Sequence, residues 1–329
     1  MPPTPTRYTS PDEDSARWLD FAFRDGDIVI STRSKSGTTW MQMICALLVF
    51  QTPELPAPLA HLSPWLDWLV MPLDTVLDRL AAQTHRRFIK THTPLDGVPI
   101  SPLATYIVVA RHPLDAAVSL YHQGSNMNRD RLRELTGQPP LASPPAPRLD
   151  LHDWLAWWID KDVEPATDMD SLSGFLWHAS DAWSRRHEPN VMLVHYADLA
   201  ADLDAEMRRI AKRLDMEVAE HAWPELVRSA TFDRMRARAA DLAPDPSGVF
   251  KDKSVFFRSG TSGSGAGTLT DTEFDPLQQT RGASAAARSR FVATPIDRTA
   301  VACRCAQEVR ELLPDPEQDA MLRQAGRRR

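Results

Sequence analysis

The chain has 329 residues, 43% of them hydrophobic and 25% charged, and its 44 acidic against 38 basic side chains leave a formal net charge of −6. That is enough for one large α/β domain or two small ones, and the acidic balance excludes a general binder of nucleic acid or anionic membrane while leaving room for a local basic pocket. Three cysteines, Cys45, Cys303 and Cys305, make neither a disulfide framework nor a four-ligand zinc site.

The start, MPPTPTRYTSPDEDS, lacks the basic and then apolar pattern of a secretion signal. No later run reaches the roughly 18 apolar residues that span a bilayer. A cytoplasmic protein with no integral membrane association is expected. The first chemistry lies after the turn Arg24-Asp25-Gly26-Asp27. Residues 28–31 read as a short β-branched strand, and Trp40, Ile44, Leu47 and Leu48 recur at helical spacing. Between them stands RSKSGTTW. A helix start carries unpaired N–H groups and partial positive charge, so Lys35 and Gly37 at that point suit an anion. An ordinary strand-to-helix turn capped by Ser36 or Thr38 reads equally well from the loop alone. The nucleotide pattern G-x-x-x-x-G-K-[ST] is absent, since Lys35 precedes Gly37.

Three further strand-like segments follow, at 87–90, 106–110 and 191–194, with helix-like sequence between them, which predicts parallel strands joined by crossovers. Each ends on chemistry: Thr91-His92, Arg111-His112 and His195-Tyr196. Ligands of open parallel sheets bind outside the carboxyl ends of the strands, so the four ends are expected to converge on one site. Residues 52–75 hold too many prolines for one helix. Trp154, Trp157 and Trp158 read either as a packed helix face or, with Trp65 and Trp68, as the lining of an apolar pocket. Helices are expected near 176–187 and 199–214. From about 259 the chain turns glycine- and serine-rich, then arginine- and alanine-rich, without a clear amphipathic period.

Taken in order, RSKSGTTW, FIKTHTP, VVARHPLDAAVSLYHQ and VHYADL resemble the sulfotransferases that use 3′-phosphoadenosine-5′-phosphosulfate (PAPS), over residues 18–260. SPWLD, HRRFIKTHTPLDG and NMNRDR resemble the mycobacterial glycolipid branch. The resemblance implies a single α/β domain, a central parallel sheet flanked by helices with a P-loop-like cofactor loop. A divergent segment, 261–329, would follow it.

It also implies the site. Lys35, Ser36, Gly37, Thr38 and Thr39 would hold the 5′-phosphosulfate, with Trp40, Tyr196, Thr231 and Phe232 on the adenine side. Arg111 and Ser119 would take the 3′-phosphate. His92 would act as catalytic base, with Lys35 stabilising the leaving oxygen and Lys90 the sulfuryl group, and no metal is required. The closing loop of the family matches at Arg258 and Gly260, but Ser259 stands where a lysine is usual and the Asp-Trp pair is missing. The expected partner is a hydroxylated acceptor with an apolar portion, a glycolipid among the options. A relic that binds the nucleotide without turnover, and a P-loop-like kinase, are the rival readings.

Overall fold

The computed structural model describes residues 4–243, 247–258, 260 and 263. Ser259 and, apart from Gly263, the segment 261–329 lie outside the described residues. In chain order the elements are β1 (Asp27–Thr32), α1 (Thr38–Phe50), α2 (Leu59–Leu62), α3 (Leu73–Ala82), β2 (Phe88–Thr91), β3 (Ala104–Ala110), α4 (Pro113–Asn126), α5 (Arg129–Leu135), α6 (Leu151–Asp160), α7 (Leu172–Ser184), β4 (Val191–His195), α8 (Tyr196–Ala201), α9 (Leu203–Arg213), α10 (Trp223–Ala230), α11 (Phe232–Ala237) and α12 (Ala239–Leu242). Short 3₁₀ turns lie at Ser15–Asp20, Leu95–Gly97 and Lys253–Val255.

The four strands form one parallel sheet in the order β2-β1-β3-β4. The register sets Ile30 opposite Lys90 and Ile107, and Ala110 opposite His195. All six residues of β1 are buried, as expected of a central strand covered on both faces. Alternation along it divides the core. Ile28 and Ile30 pack with α1 residues such as Ile44 and Leu47 and with Ile210 and Leu226, whereas Val29 packs with Trp18, Ile89, Tyr106 and Val108.

After β1 the chain goes to one side for β2 and then to the other for β3. The carboxyl end of β1 is therefore the point where strand order reverses, the place where such sheets open a crevice. A buried ion pair braces the opposite end of the sheet: Arg87 donates to both carboxylate oxygens of Asp27, at 2.8 and 2.5 Å.

Local chemistry explains the element boundaries. The helix expected over 199–214 is two helices, because Asp202 leaves the helical conformation and its carboxylate caps the N–H of Ala205. The helix expected near 176–187 begins earlier, at Leu172, where the Ser171 hydroxyl caps the N–H of Gly174. Among the described residues no helix is long and apolar enough to cross a membrane.

Candidate active site

The loop after β1 turns sharply into α1. Lys35 has φ 66° and Gly37 φ 100°, both left-handed. At Gly37 a side chain would also crowd the Tyr196 ring, since a Cβ there would lie 3.0 Å from Cδ2. Gly37 itself is the N-cap of α1, so no side chain occupies the first-turn N–H groups. Neither expected cap serves: the Thr38 hydroxyl pairs with that of Thr32 at 2.5 Å, and Ser36 is buried behind the loop. A left-handed, uncapped helix start presents its amides outward, which is the arrangement anions use.

That start borders a cavity of about 490 Å³ at the strand ends. Lys35, Gly37, Thr38, Thr39, Trp40, Lys90, His92, Arg111, Ser119, Tyr196, Phe232, Arg258 and Gly260 all line it. Among the described residues, two of those expected at the site do not. Ser36 is turned inward, and the Thr231 hydroxyl donates 2.7 Å to the Arg228 carbonyl while its residue caps α11.

Each wall has a visible support. Trp40 donates from Nε1 to the Ala230 carbonyl at 2.8 Å and meets Tyr196 edge-on at 5.1 Å. The Arg111 guanidinium lies 4.2 Å from the Tyr196 ring centroid and donates to the Lys35 carbonyl at 3.0 Å. Gly260, at φ 65°, rests on Phe232 so closely that a Cβ would come within 2.4 Å of the ring. The Gly263 N–H reaches the Asp115 carboxylate at 2.8 Å.

Lys35 donates 2.7 Å to Gln123 Oε1 and lies 4.4 Å from the Phe256 ring centroid. Burial, reinforced by Arg111, Lys90 and Arg258, pushes its ammonium down to about 7. Lys90 stands 3.7 Å over the Trp65 ring, and burial pushes it down to about 8 against the pull of Glu13 and Asp67. The site thus concentrates positive charge from Lys35, Lys90, Arg111 and Arg258.

His92 is held in one tautomer. Its Nδ1 lies 2.6 Å from the Thr32 carbonyl, so Nδ1 carries the hydrogen and donates it, leaving the lone pair on Nε2. Burial, with Lys90 and Arg33 nearby, holds the ring well below the usual histidine range, so it is neutral at pH 7. Arg33 fixes the backbone there, donating 2.7 Å to the His92 carbonyl and pairing with Asp170 at 2.8 Å.

The tryptophans separate. Trp65 and Trp68 stack at 4.8 Å and line the cavity, and Trp65 meets His92 edge-on at 4.6 Å. The α6 tryptophans do not line it. Trp158 is fully buried against Phe175, Trp154 packs on Tyr121, and Trp157 is 48% exposed on the outer face.

The structure also adds residues that sequence patterns left out. Gln123 and Arg33 are two of these, each inside a quoted motif but given no role there. Another group is the N-terminal segment from Tyr8 to Glu13, which lines the cavity although nothing in its composition marks it.

The comparisons with known proteins agree with this architecture. The sulfotransferase domain model matches residues 25–282. A glycolipid sulfotransferase of Mycobacterium bovis is 40% identical over 284 residues, covering 81% of this chain and 87% of that protein. One of Mycobacterium tuberculosis is 41% identical over 283 residues with the same coverage. In structure, mouse sulfotransferase SULT7A1 complexed with PAP superposes with a TM-score of 0.60 at 18% identity, over 90% of this chain and 92% of that one. On the family match and these identities together, the chain belongs to the sulfotransferase family.

Proposed function

We propose that the protein transfers the sulfuryl group of PAPS to a hydroxyl of a glycolipid-type acceptor. The observation that carries this reading is the meeting, in one cavity, of an uncapped helix start with Lys35 and a neutral His92 whose free ring nitrogen is Nε2. The mycobacterial relatives named above support the acceptor class.

The residues present suit the nucleotide. The α1 amides, Lys35, Thr38 and Thr39 hold the 5′-phosphosulfate, and Arg111 with Ser119 takes the 3′-phosphate, a guanidinium being able to bind phosphate oxygens bidentately. Trp40, Tyr196 and Phe232 supply aromatic faces for the base. When bound, PAPS supplies an activated sulfuryl group on a phosphate leaving group. His92 Nε2 accepts the proton of the acceptor hydroxyl as its oxygen bonds to sulfur. Lys35 stabilises the electron pair that leaves on the bridging phosphate oxygen, and Lys90 the equatorial sulfuryl oxygens.

The test is transfer of labelled sulfate from PAPS to a lipidated sugar. His92→Ala is expected to lower turnover by about 10² or more while keeping PAP affinity. Lys35→Ala is expected to weaken both. Wild-type turnover in the His92 variant would remove the base from the mechanism, and labelled phosphate transfer from ATP would favour a kinase instead.

A further inference from the structure

Residues 4–14 form a strap along one wall of the cavity, which Tyr8 and the five residues after it line. The sulfotransferase domain match begins only at residue 25, so the strap lies outside the stretch that carries the family likeness. Backbone hydrogen bonds tie it to its surroundings: the Thr9 N–H donates to the Ala166 carbonyl at 2.8 Å, the Asp14 N–H to the Asp67 carbonyl at 2.9 Å, and the Leu69 N–H to the Asp12 carbonyl at 2.8 Å. Those partners belong to the loop at 165–170 and to the stretch that holds Trp65, whose ring meets His92. The strap therefore borders the His92 end of the cavity.

One side chain pins the strap. Of residues 4–14 only Tyr8 is buried. Its hydroxyl donates to the Asp96 carboxylate, whose oxygens lie 2.8 and 2.9 Å away, and accepts from Trp177 Nε1 at 2.7 Å. Asp96 belongs to the 3₁₀ turn Leu95–Gly97 just after His92, and Trp177 belongs to α7. The Asp96 N–H donates in turn to the Asp181 carboxylate of α7 at 3.1 Å. Gly97 leaves the ring its place, since a Cβ there would come within 2.5 Å of Tyr8 Cδ2. A phenol that donates to one remote element and accepts from another fixes a position, and its bond to a carboxylate is stronger than one between neutral groups. A cavity of about 490 Å³ is the size for a single drug-sized ligand. With a nucleotide at the α1 start, little room remains for an acceptor with an apolar tail unless one wall yields. The sheet and α1 are fixed by the core, whereas the strap commits one side chain to it.

We propose that the strap is the movable wall of the acceptor end and that Tyr8 is its specificity-determining residue: pinned, the strap favours a compact acceptor, and loosening the pin admits a longer apolar tail. The inference rests on the sulfuryl-transfer reading given above and assigns how its acceptor is selected.

The test compares wild type, Tyr8→Phe and Trp177→Phe on methyl β-glucoside and octyl β-glucoside, which offer the same hydroxyls and differ in their tails. Tyr8→Phe keeps the ring and loses both hydrogen bonds, and Trp177→Phe removes one donor from outside the cavity. Thermal unfolding checks the fold of each variant. Hydrogen exchange on the PAP-loaded protein reads the strap directly: in Tyr8→Phe the amides of residues 4–14 are expected to exchange about tenfold faster, with those of β1 unchanged. The octyl-to-methyl ratio of kcat/KM is expected to rise roughly fivefold in Tyr8→Phe, and by less in Trp177→Phe, while PAP affinity holds. Unchanged exchange would overturn the pin. Faster exchange with an unchanged or lower ratio would overturn its part in specificity. Should no variant sulfate either glucoside, the sulfuryl-transfer reading falls alone, and the ratio of the two Kd values on the PAP-loaded protein decides the strap by the same criterion.

Discussion

Binding of PAP is expected to draw a proton from solution, because Lys35 is poised near 7 in the free protein. The cause is burial together with the fields of Arg111, Lys90 and Arg258, and a phosphate beside the ammonium would reverse that balance. The sign follows directly. The binding form is protonated, the free form loses its proton as pH rises through about 7, and affinity therefore falls on the alkaline side. Phosphate monoesters complete their ionisation near pH 6, so the ligand stays fully charged over the range that matters. At pH 8 only about a tenth of free Lys35 is protonated, so uptake approaches ~0.9 proton per PAP bound. Between pH 7 and 9 the Kd would rise about fiftyfold if the complex keeps its proton throughout. Calorimetry in buffers of different ionisation enthalpy measures the uptake, and titration at several pH values measures the slope. Lys35→Arg keeps a permanent charge and should flatten the profile while holding affinity at pH 9. Zero proton uptake with a flat Kd in the wild type would refute the reasoning, because it would mean that Lys35 either does not meet the phosphate or is not depressed.

Three other outcomes can be checked. Gly260→Ala puts a methyl within 2.4 Å of Phe232 at a left-handed φ; the strain of about 1–2 kcal/mol should lower Tm by a few degrees, and the shift of Phe232 that relieves it should weaken PAP binding by calorimetry. Asp27→Asn strips the charge partner of buried Arg87, and a loss of about 3–5 kcal/mol is expected in urea unfolding, remote from the cavity and without loss of PAP affinity in the folded fraction. Trp65→Ala removes the ring beneath Lys90; turnover with PAPS should drop about tenfold while PAP, which carries no sulfuryl group, binds as before.

Much of the cavity at the strand ends was legible in the chain itself. Short β-branched runs followed by Lys35, His92, Arg111 and Tyr196 specify parallel strands and a shared edge, because strand period and turn chemistry are local properties and the order of such sheets fixes where their ends meet. Distances that depend on contacts between remote segments were not legible. That Glu13 shares a cavity with Lys90, that Arg33 anchors both His92 and Asp170, and that Gln123 receives Lys35 all follow from packing across sequence separations that no local pattern encodes. The tryptophans make the same point. Trp65 and Trp158 are alike as residues, yet one faces the cavity beside Lys90 and the other is sealed against Phe175. Local sequence determined the strands, the loop and the charges at their ends. Only the tertiary structure decided which buried side chains lost their solvent and which found partners, since desolvation and the fields that move Lys35, Lys90 and His92 depend on the whole surrounding fold.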